Sequence, residues 1–386
     1  MALPNKMTLW VILASATLTV MAGSVISPTL NLMAAGLGME HGAARIIITT
    51  HGIIVAICSP FIGILIDRIG MRKPFIIGLI IYAIAGGSGL LITDYWMLIV
   101  SRIVFGTGVA AIFTSITVII LNLYKGERKN KVMGWRGSSN SVGGFTWPLL
   151  GGFLGTFSWH LPFAVYLVGL PLAVLAYLTI PQMPGALDNP TKNTSGEESI
   201  FSLFKNTPAL YITYGFIFLL NVLLYSLVVF LPELIINIAP VDSFFIGICF
   251  SFSSITAGLA AFYYARIRAR LSYKVIIFIS LAFWTAGFAT LSQAFSLWMV
   301  ILSVALFGVG QGMCIPAVTV WTGELVPATF RGRITSYLAT FGYVGQFMSP
   351  ILLNPVAVAL GVHNVFLVTA SVCALLFLIF LVFIRK

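Results

Sequence analysis

The chain has 386 residues, of which 59% are hydrophobic and only 8% charged, and its mean hydropathy is +1.05. Soluble domains carry about 25% charged residues, so this composition excludes a soluble protein and describes one embedded in a bilayer. The formal net charge of +11 is spread along the chain in a way that excludes a nucleic-acid binder, as the order of its elements makes plain.

Twelve apolar runs of spanning length begin near Met7, Arg45, Pro74, Trp96, Val132, Leu161, Ala209, Phe244, Val275, Leu297, Ile334 and Asn364. Each can supply the roughly 20 residues a helix needs to cross about 30 Å of hydrocarbon. The first run, from Met7 to about Leu32, reads as a span and not as a cleaved leader. All Lys and Arg except Arg45 and Arg102 gather at places that alternate along the chain, after every second run: Lys6, the 2–3 turn, Lys125 to Arg136, Lys192 and Lys205, Arg266 to Lys274, Arg331 and Arg333, and Arg385 and Lys386. That pattern places both termini and these loops, Lys125 to Arg136 among them, in the cytoplasm of a multi-pass protein of the cell (inner) membrane. The predicted fold is therefore all-α, with twelve transmembrane helices in two six-helix bundles. The bundles are residues 1–180 and 209–386, joined by a cytoplasmic linker at 181–208. Within the linker, Glu197 to Lys205 is expected to lie on the membrane surface as a short amphipathic helix. Asn193-Thr194-Ser195 is a glycosylation pattern without meaning on that side. Cys58, Cys249, Cys314 and Cys373 fall inside apolar runs and are expected to be free, buried thiols.

The turn after the second run reads Gly63-Ile64-Leu65-Ile66-Asp67-Arg68-Ile69-Gly70-Met71-Arg72-Lys73-Pro74. Glycine and proline suit a tight hairpin, and the cations hold it inside. Asp67 is the odd member, since the turn itself needs no acid. Gly63, Asp67, Arg68, Gly70, Arg72 and Lys73 together resemble the loop 2–3 signature of the major facilitator superfamily. The resemblance implies that Asp67 pairs with cations across the cytoplasmic mouth and acts as a gate. Arg128 and Lys131 are its candidate partners.

The halves are copies. Trp96 to Gly108 aligns without gaps onto Trp298 to Gly310, and the same offset carries Gly143 and Pro148 onto Gly345 and Pro350, and Asp67 onto Ala269. Related bundles facing each other form a central cavity, and rocking of one against the other gives alternating access. Where the copies differ, one half is specialised. Arg102, in the fourth run, is answered by Val304. An arginine at that depth is costly unless bonded, and backbone carbonyls near Pro28 with the hydroxyls of Ser24 and Ser27 are the expected acceptors. Arg102-x-x-x-Gly106-x-Gly108 resembles the superfamily's helix 4 signature, which implies a part in proton transfer.

The fifth run carries Gly134, Gly143, Trp147-Pro148 and Gly151-Gly152. Their spacing resembles the antiporter signature of drug–proton exchangers, in which glycines allow close helix packing and proline bends the helix. Trp147 stands where that signature has glycine, and it is expected to crowd the seam.

Glu233, after Pro232, is the only acid well within a spanning run of the second half, and His51 lies in the second run. With Arg102 they are the candidates for proton coupling. Drug–proton antiporters commonly carry an acid in helix 1. Here that helix offers only Thr17, Thr19, Ser24, Ser27 and Asn31. In the resembling family, helices 1, 4, 7 and 10 line the cavity. From the first two, Met21, Ser24, Asn31, Thr107 and Thr114 are expected there. From the seventh come Tyr211, Tyr214, Phe218, Asn221 and Tyr225, and from the tenth Gln311, Met313 and Trp321. Aromatic, methionine and amide groups without a dense charge cluster suit an amphipathic organic solute.

The resulting expectation is a monomeric secondary transporter, resembling the twelve-helix drug:proton antiporter branch, that exports small amphipathic compounds by alternating access. Protons are the expected coupling ion, and no cofactor or metal is implied. Uptake of a specific solute on the same fold is the alternative. An intramembrane enzyme is disfavoured because His41, His51, His160 and His363 are scattered, without metal-ligand spacing. A channel is disfavoured for want of a charged ring or filter-like repeat.

Overall fold

The computed structural model describes residues 6–182, 207, 209–325 and 331–385, and the side chains of these except at 67, 126, 127, 130, 265, 331–336 and 382–385. Helix α1 spans Lys6–Ser24 and is carried on through a 3-10 turn, Ser27–Thr29, by Leu30–Gly36. Then follow α2 (His41–Ile69), α3 (Arg72–Gly87), α4 (Tyr95–Leu123) and α5 (Gly126–Gly155). The 3-10 stretch Leu161–Val168 leads into α6, Gly169–Thr179. The second half comprises α7 (Ala209–Ile238), α8 (Ser243–Arg268), α9 (Tyr273–Ser292), α10 (Leu297–Glu324), α11 (Arg331–Leu360) and α12 (Val362–Arg385). The amphipathic stretch expected at Glu197 to Lys205 and the Asn193 acceptor lie outside the described residues.

Local chemistry sets several helix ends. Asp94 caps α4 by accepting from the Met97 amide at 2.8 Å, and Ser272 caps α9 through the Val275 amide. Gly70 ends α2 with φ +81°, a conformation that glycine adopts without strain, and so makes the tight hairpin possible. Prolines sit inside α2, α5, α7, α10 and α11, and each removes one hydrogen bond from its helix.

Eleven of the described segments are long and apolar enough to cross a membrane. The twelfth, α5, is polar over its first half. The sequence expectation started it near Val132 and placed Arg128 and Lys131 in the loop before it, but the helix begins at Gly126. Arg136 therefore lies ten residues, about 15 Å, inside a helix. Its exposed neighbours Met133, Gly134, Trp135, Gly137 and Ser138 indicate that this part of α5 is not packed among apolar side chains.

The halves pack alike. Helices α3 and α4, α2 and α4, and α1 and α5 pair in the first, as α9 and α10, α8 and α10, and α7 and α11 do in the second. Between halves, α5 packs on α8 and α2 on α11. Equivalent core residues do equivalent jobs. The rings of Tyr82 and Phe105 lie 4.7 Å apart in the first half, and those of their counterparts Trp284 and Phe307 lie 4.7 Å apart in the second. The copies diverge beside them. In the first half the Arg102 guanidinium lies over Phe105 and bonds the Gly86 carbonyl at 3.0 Å. In the second, Val304 replaces the arginine and Phe288 replaces that glycine, its ring 5.4 Å from Phe307. A ring in one copy fills the room that a guanidinium takes in the other.

Candidate functional site

Glycines along the seams between halves record where the halves part. On α5, a Cβ placed at Gly152 would lie 2.5 Å from the Ser243 carbonyl, and one at Gly144 would lie 2.9 Å from the Ser254 hydroxyl. At Gly137 and Gly134, toward the end that carries the termini, it would meet nothing within 4 Å. On α2 the same ruler reads 2.7 Å to Asn354 at Gly42, 3.1 Å to the Tyr343 carbonyl at Gly52, and nothing at Gly63. Among the described residues, both seams are tight at the far end and open toward the termini.

The far end is also tied by polar groups. Arg45 of α2, 2% exposed, forms an ion pair with Glu233 of α7 and donates to Asn354 Oδ1 of α11, while its guanidinium lies 4.1 Å over the Phe230 ring. Ser27 donates to the Val228 carbonyl, and Ser243 donates to the Gly152 carbonyl at 2.8 Å. Glu233 was expected as a titrating acid on its own. The sequence had marked Arg45 only as a break in the charge pattern, because nothing local joins residues of different halves.

The other titratable candidates sit apart from this tie. Arg102 is fully buried in the first bundle, and the expectation that helix 1 bonds it is corrected. It donates to the carbonyls of Ala85 and Gly86 on α3, both at 3.0 Å, inside a box made by the rings of Phe105, Phe163 and Tyr166. The helix 1 carbonyls of Leu18 and Ala22 go instead to the phenols of Tyr82 and Tyr166. His51 is buried, its Nδ1 2.7 Å from the Ile48 carbonyl and its ring 6.0 Å from Phe105, so Phe105 lies between it and Arg102. A Cβ at Gly23 would touch both His51 and the Tyr225 hydroxyl, which brings α1, α2 and α7 together there.

In the hairpin after α2, Arg72 bonds the Tyr177 carbonyl and lies 4.7 Å over that ring, tying α3 to α6. Gly63 meets no neighbour, and Arg68 and Lys73 are exposed. The side chain of Asp67 lies outside the described residues, and Arg128 lies 5.8 Å from the Tyr124 ring. In the α5 motif, Gly143 packs on Thr17, Gly151 on the Val25 carbonyl, and Gly152 and the Pro148 carbonyl on α8. Gly134 packs on nothing. Trp147 does not crowd the seam, since its indole N–H donates to the Thr17 carbonyl at 3.2 Å and fastens α5 to α1.

Tyr211 and Tyr214 line a recess of about 350 Å³ with Gly215, Tyr337 and Phe341. Met313 lines another, of about 250 Å³, between α8 and α10. Asn221 accepts from Gln346 at 3.1 Å and lies beside Gly342 and Gly345 of α11. Met21 and Tyr225 are buried. Ser24, Asn31, Thr107, Thr114, Phe218, Gln311 and Trp321 are half-buried.

Sequence reasoning missed Arg136. Its Nη1 donates to the Thr117 hydroxyl of α4 at 2.7 Å, and its guanidinium lies 5.2 Å from the Phe113 ring. That ring meets Tyr343 of α11 edge-on at 5.8 Å, so the group bridges the halves. A signal was present, because the repeat offset sets Leu338 opposite Arg136, a specialisation of the same kind as Arg102 against Val304.

Comparison with known proteins supplies the family. The bacillibactin exporter of Bacillus subtilis is 23% identical over 377 residues, covering 94% of this chain and 92% of its own. The multi-drug resistance efflux pump PmrA of Streptococcus pneumoniae is 26% identical, covering 88% and 85%. The fold is shared with the solved nucleoside transporter NupG, at TM-score 0.77 and 17% identity, over 98% of this chain and 99% of that one in one form and 99% and 100% in the other. Members of this kind are membrane transporters and not enzymes. The Major Facilitator Superfamily profile matches residues 12–241 and 224–386, and with both halves covered the chain belongs to that superfamily.

Proposed function

We propose that this transporter exports small amphipathic organic compounds across a cell membrane in exchange for protons, as a monomer with its termini in the cytoplasm. One observation carries the reading: the halves are tied at the far end through Arg45, Glu233 and Asn354 and part toward the termini. If the terminal end is cytoplasmic, as its lysines and arginines indicate, this is a state that loads from inside. Relatives named as a siderophore exporter and a multidrug efflux pump support the outward direction.

In the proposed cycle, opening the far end separates Glu233 from Arg45 and lets the carboxylate take a proton from outside. Closure needs the charged carboxylate again, so the returning guanidinium drives that proton inward, toward His51 and the cytoplasm. His51, six residues or about 9 Å along α2 from Arg45, is the next titratable group toward the cytoplasm. Arg102 braces α3 and α4 behind it. Asp67 at the cytoplasmic hairpin would close the opposite mouth.

Reconstituted protein, with its terminal end facing the bath, should concentrate substrates from a compound panel into liposomes with an acid lumen. A protonophore should abolish the accumulation. Transport indifferent to the pH gradient would refute proton coupling. Accumulation driven in the same direction as the protons would establish uptake by symport.

A further inference from the structure

Three arginines lie four or more residues inside helices of the first half, and two of them have a carboxylate or paired carbonyls beside the guanidinium. Arg45 has a carboxylate and Arg102 two carbonyls. Arg136 has one hydroxyl, that of Thr117, and its other nitrogens have no partner among the described residues. A guanidinium stays charged in any protein environment and prefers planar, two-oxygen partners. No described carboxylate is available to it. Glu40, Asp94 and Asp242 lie at far-end turns, Glu324 accepts from the Tyr273 hydroxyl at 2.7 Å, and Glu233 is held by Arg45. One turn further along α5, the side-chain oxygen of Asn140 is buried without a partner. The site also joins the halves, since Phe113 and Thr117 come from α4 and Tyr343 from α11.

We infer that Arg136 is the counter-charge for an acidic group on the transported compound, so that the substrate class is amphipathic organic carboxylates, with the apolar part resting against the Phe113 and Tyr343 rings. This rests on the transport reading above and narrows it. The alternative role, a strut between α5 and α4, would need only the bond to Thr117.

Full-length protein in detergent is titrated with three probes of one skeleton: 1-naphthylacetate, 1-naphthylacetamide and 1-naphthylmethylammonium. The acetate should bind about ten- to hundredfold more tightly than the acetamide, as expected for a charged hydrogen bond, and the ammonium most weakly. The preference should vanish in Arg136→Gln while acetamide binding stays as in the parent, which also shows that the variant is folded. It should persist, weakened, in Arg136→Lys, and persist in Thr117→Val, which removes the strut and keeps the charge. Equal binding of acetate and acetamide by the parent protein, tighter binding of the ammonium, no binding of any probe, or a preference that survives Arg136→Gln would each overturn the inference. The comparison within the parent protein needs no variant. In liposomes, charge-selective binding with gradient-independent flux would leave the site standing and sink the coupling. Coupled flux without charge preference would do the reverse.

Discussion

Arg45 and Glu233 come from different halves of the chain, and their ion pair lies where the repeat puts no charge at all in the opposite seam. The offset that relates the halves maps Arg45 onto Gly247, Glu233 onto Asn31 and Asn354 onto Gly152. Gly152 and Gly247 pack backbone to backbone, a Cβ on the first falling 3.2 Å from the Cα of the second. One seam is held by charge and its twin by contact.

Glu233→Gln should therefore loosen the far end. Removing the counter-charge leaves the nearly buried Arg45 with only Asn354 Oδ1 and the Phe230 ring, at a cost of about 1.5–3 kcal/mol to the closed state. Spin labels at Glu40 and Pro240 should show a longer, broader distance distribution than in the parent. Arg45→Met combined with Glu233→Leu should narrow it again. An unchanged distribution in the single variant would remove the pair from the closure.

Arg102→Ala should lower the thermal stability of the detergent-solubilised protein by about 2–4 kcal/mol, since two carbonyls lose their donor and three rings lose the group they enclose. Arg102→Lys should recover only part of this, because a single nitrogen can serve both carbonyls but an ammonium does not fill the ring box as the planar guanidinium does. Full stability with lost proton coupling would show instead that the residue works in proton transfer.

Two glycines of one motif should behave in opposite ways. Gly152→Ala drives a methyl into the Ser243 carbonyl and should cost about 1–3 kcal/mol, with transport lost as the seam is wedged. Gly134→Ala meets open space and should be neutral, or stabilising by up to about 1 kcal/mol through helix propensity. Thermal unfolding and flux measured side by side separate the two. Equal damage from both would mean that Gly134 finds a close neighbour in another state of the cycle.

Trp147→Gly restores the residue that the antiporter signature carries, yet it should destabilise the protein by about 1–3 kcal/mol. It removes the indole bond to the Thr17 carbonyl and the half-buried ring between α5 and α1. A rise in melting temperature would restore the view that the ring obstructs the seam.

The fold was legible because hydrophobic runs, alternating basic clusters and a gapless internal repeat are properties of one strand of text. Helix 5 was misjudged at its start because its polar residues serve an opening between bundles, and a hydropathy scan reads such residues as loop. Arg102 was recognised as unusual, but its acceptors were sought on helix 1. The guanidinium turns instead to the Ala85 and Gly86 carbonyls of α3, while phenols of Tyr82 and Tyr166 take the helix 1 carbonyls of Leu18 and Ala22. The Arg45–Glu233 pair could not be read, since 188 positions separate its members and only packing brings them together. Arg136 could have been found by carrying the repeat comparison one helix further, to Leu338.

The unlike seams imply a door with a bolt on one flank and a hinge on the other. Glycine backbones pressed together at α5 and α8 can pivot with little change in solvation, whereas the α2 flank must release a charged latch before it moves. In the proposed cycle the outer passage would then swing wide first beside α2, α7 and α11, so a departing solute would leave by a lopsided exit.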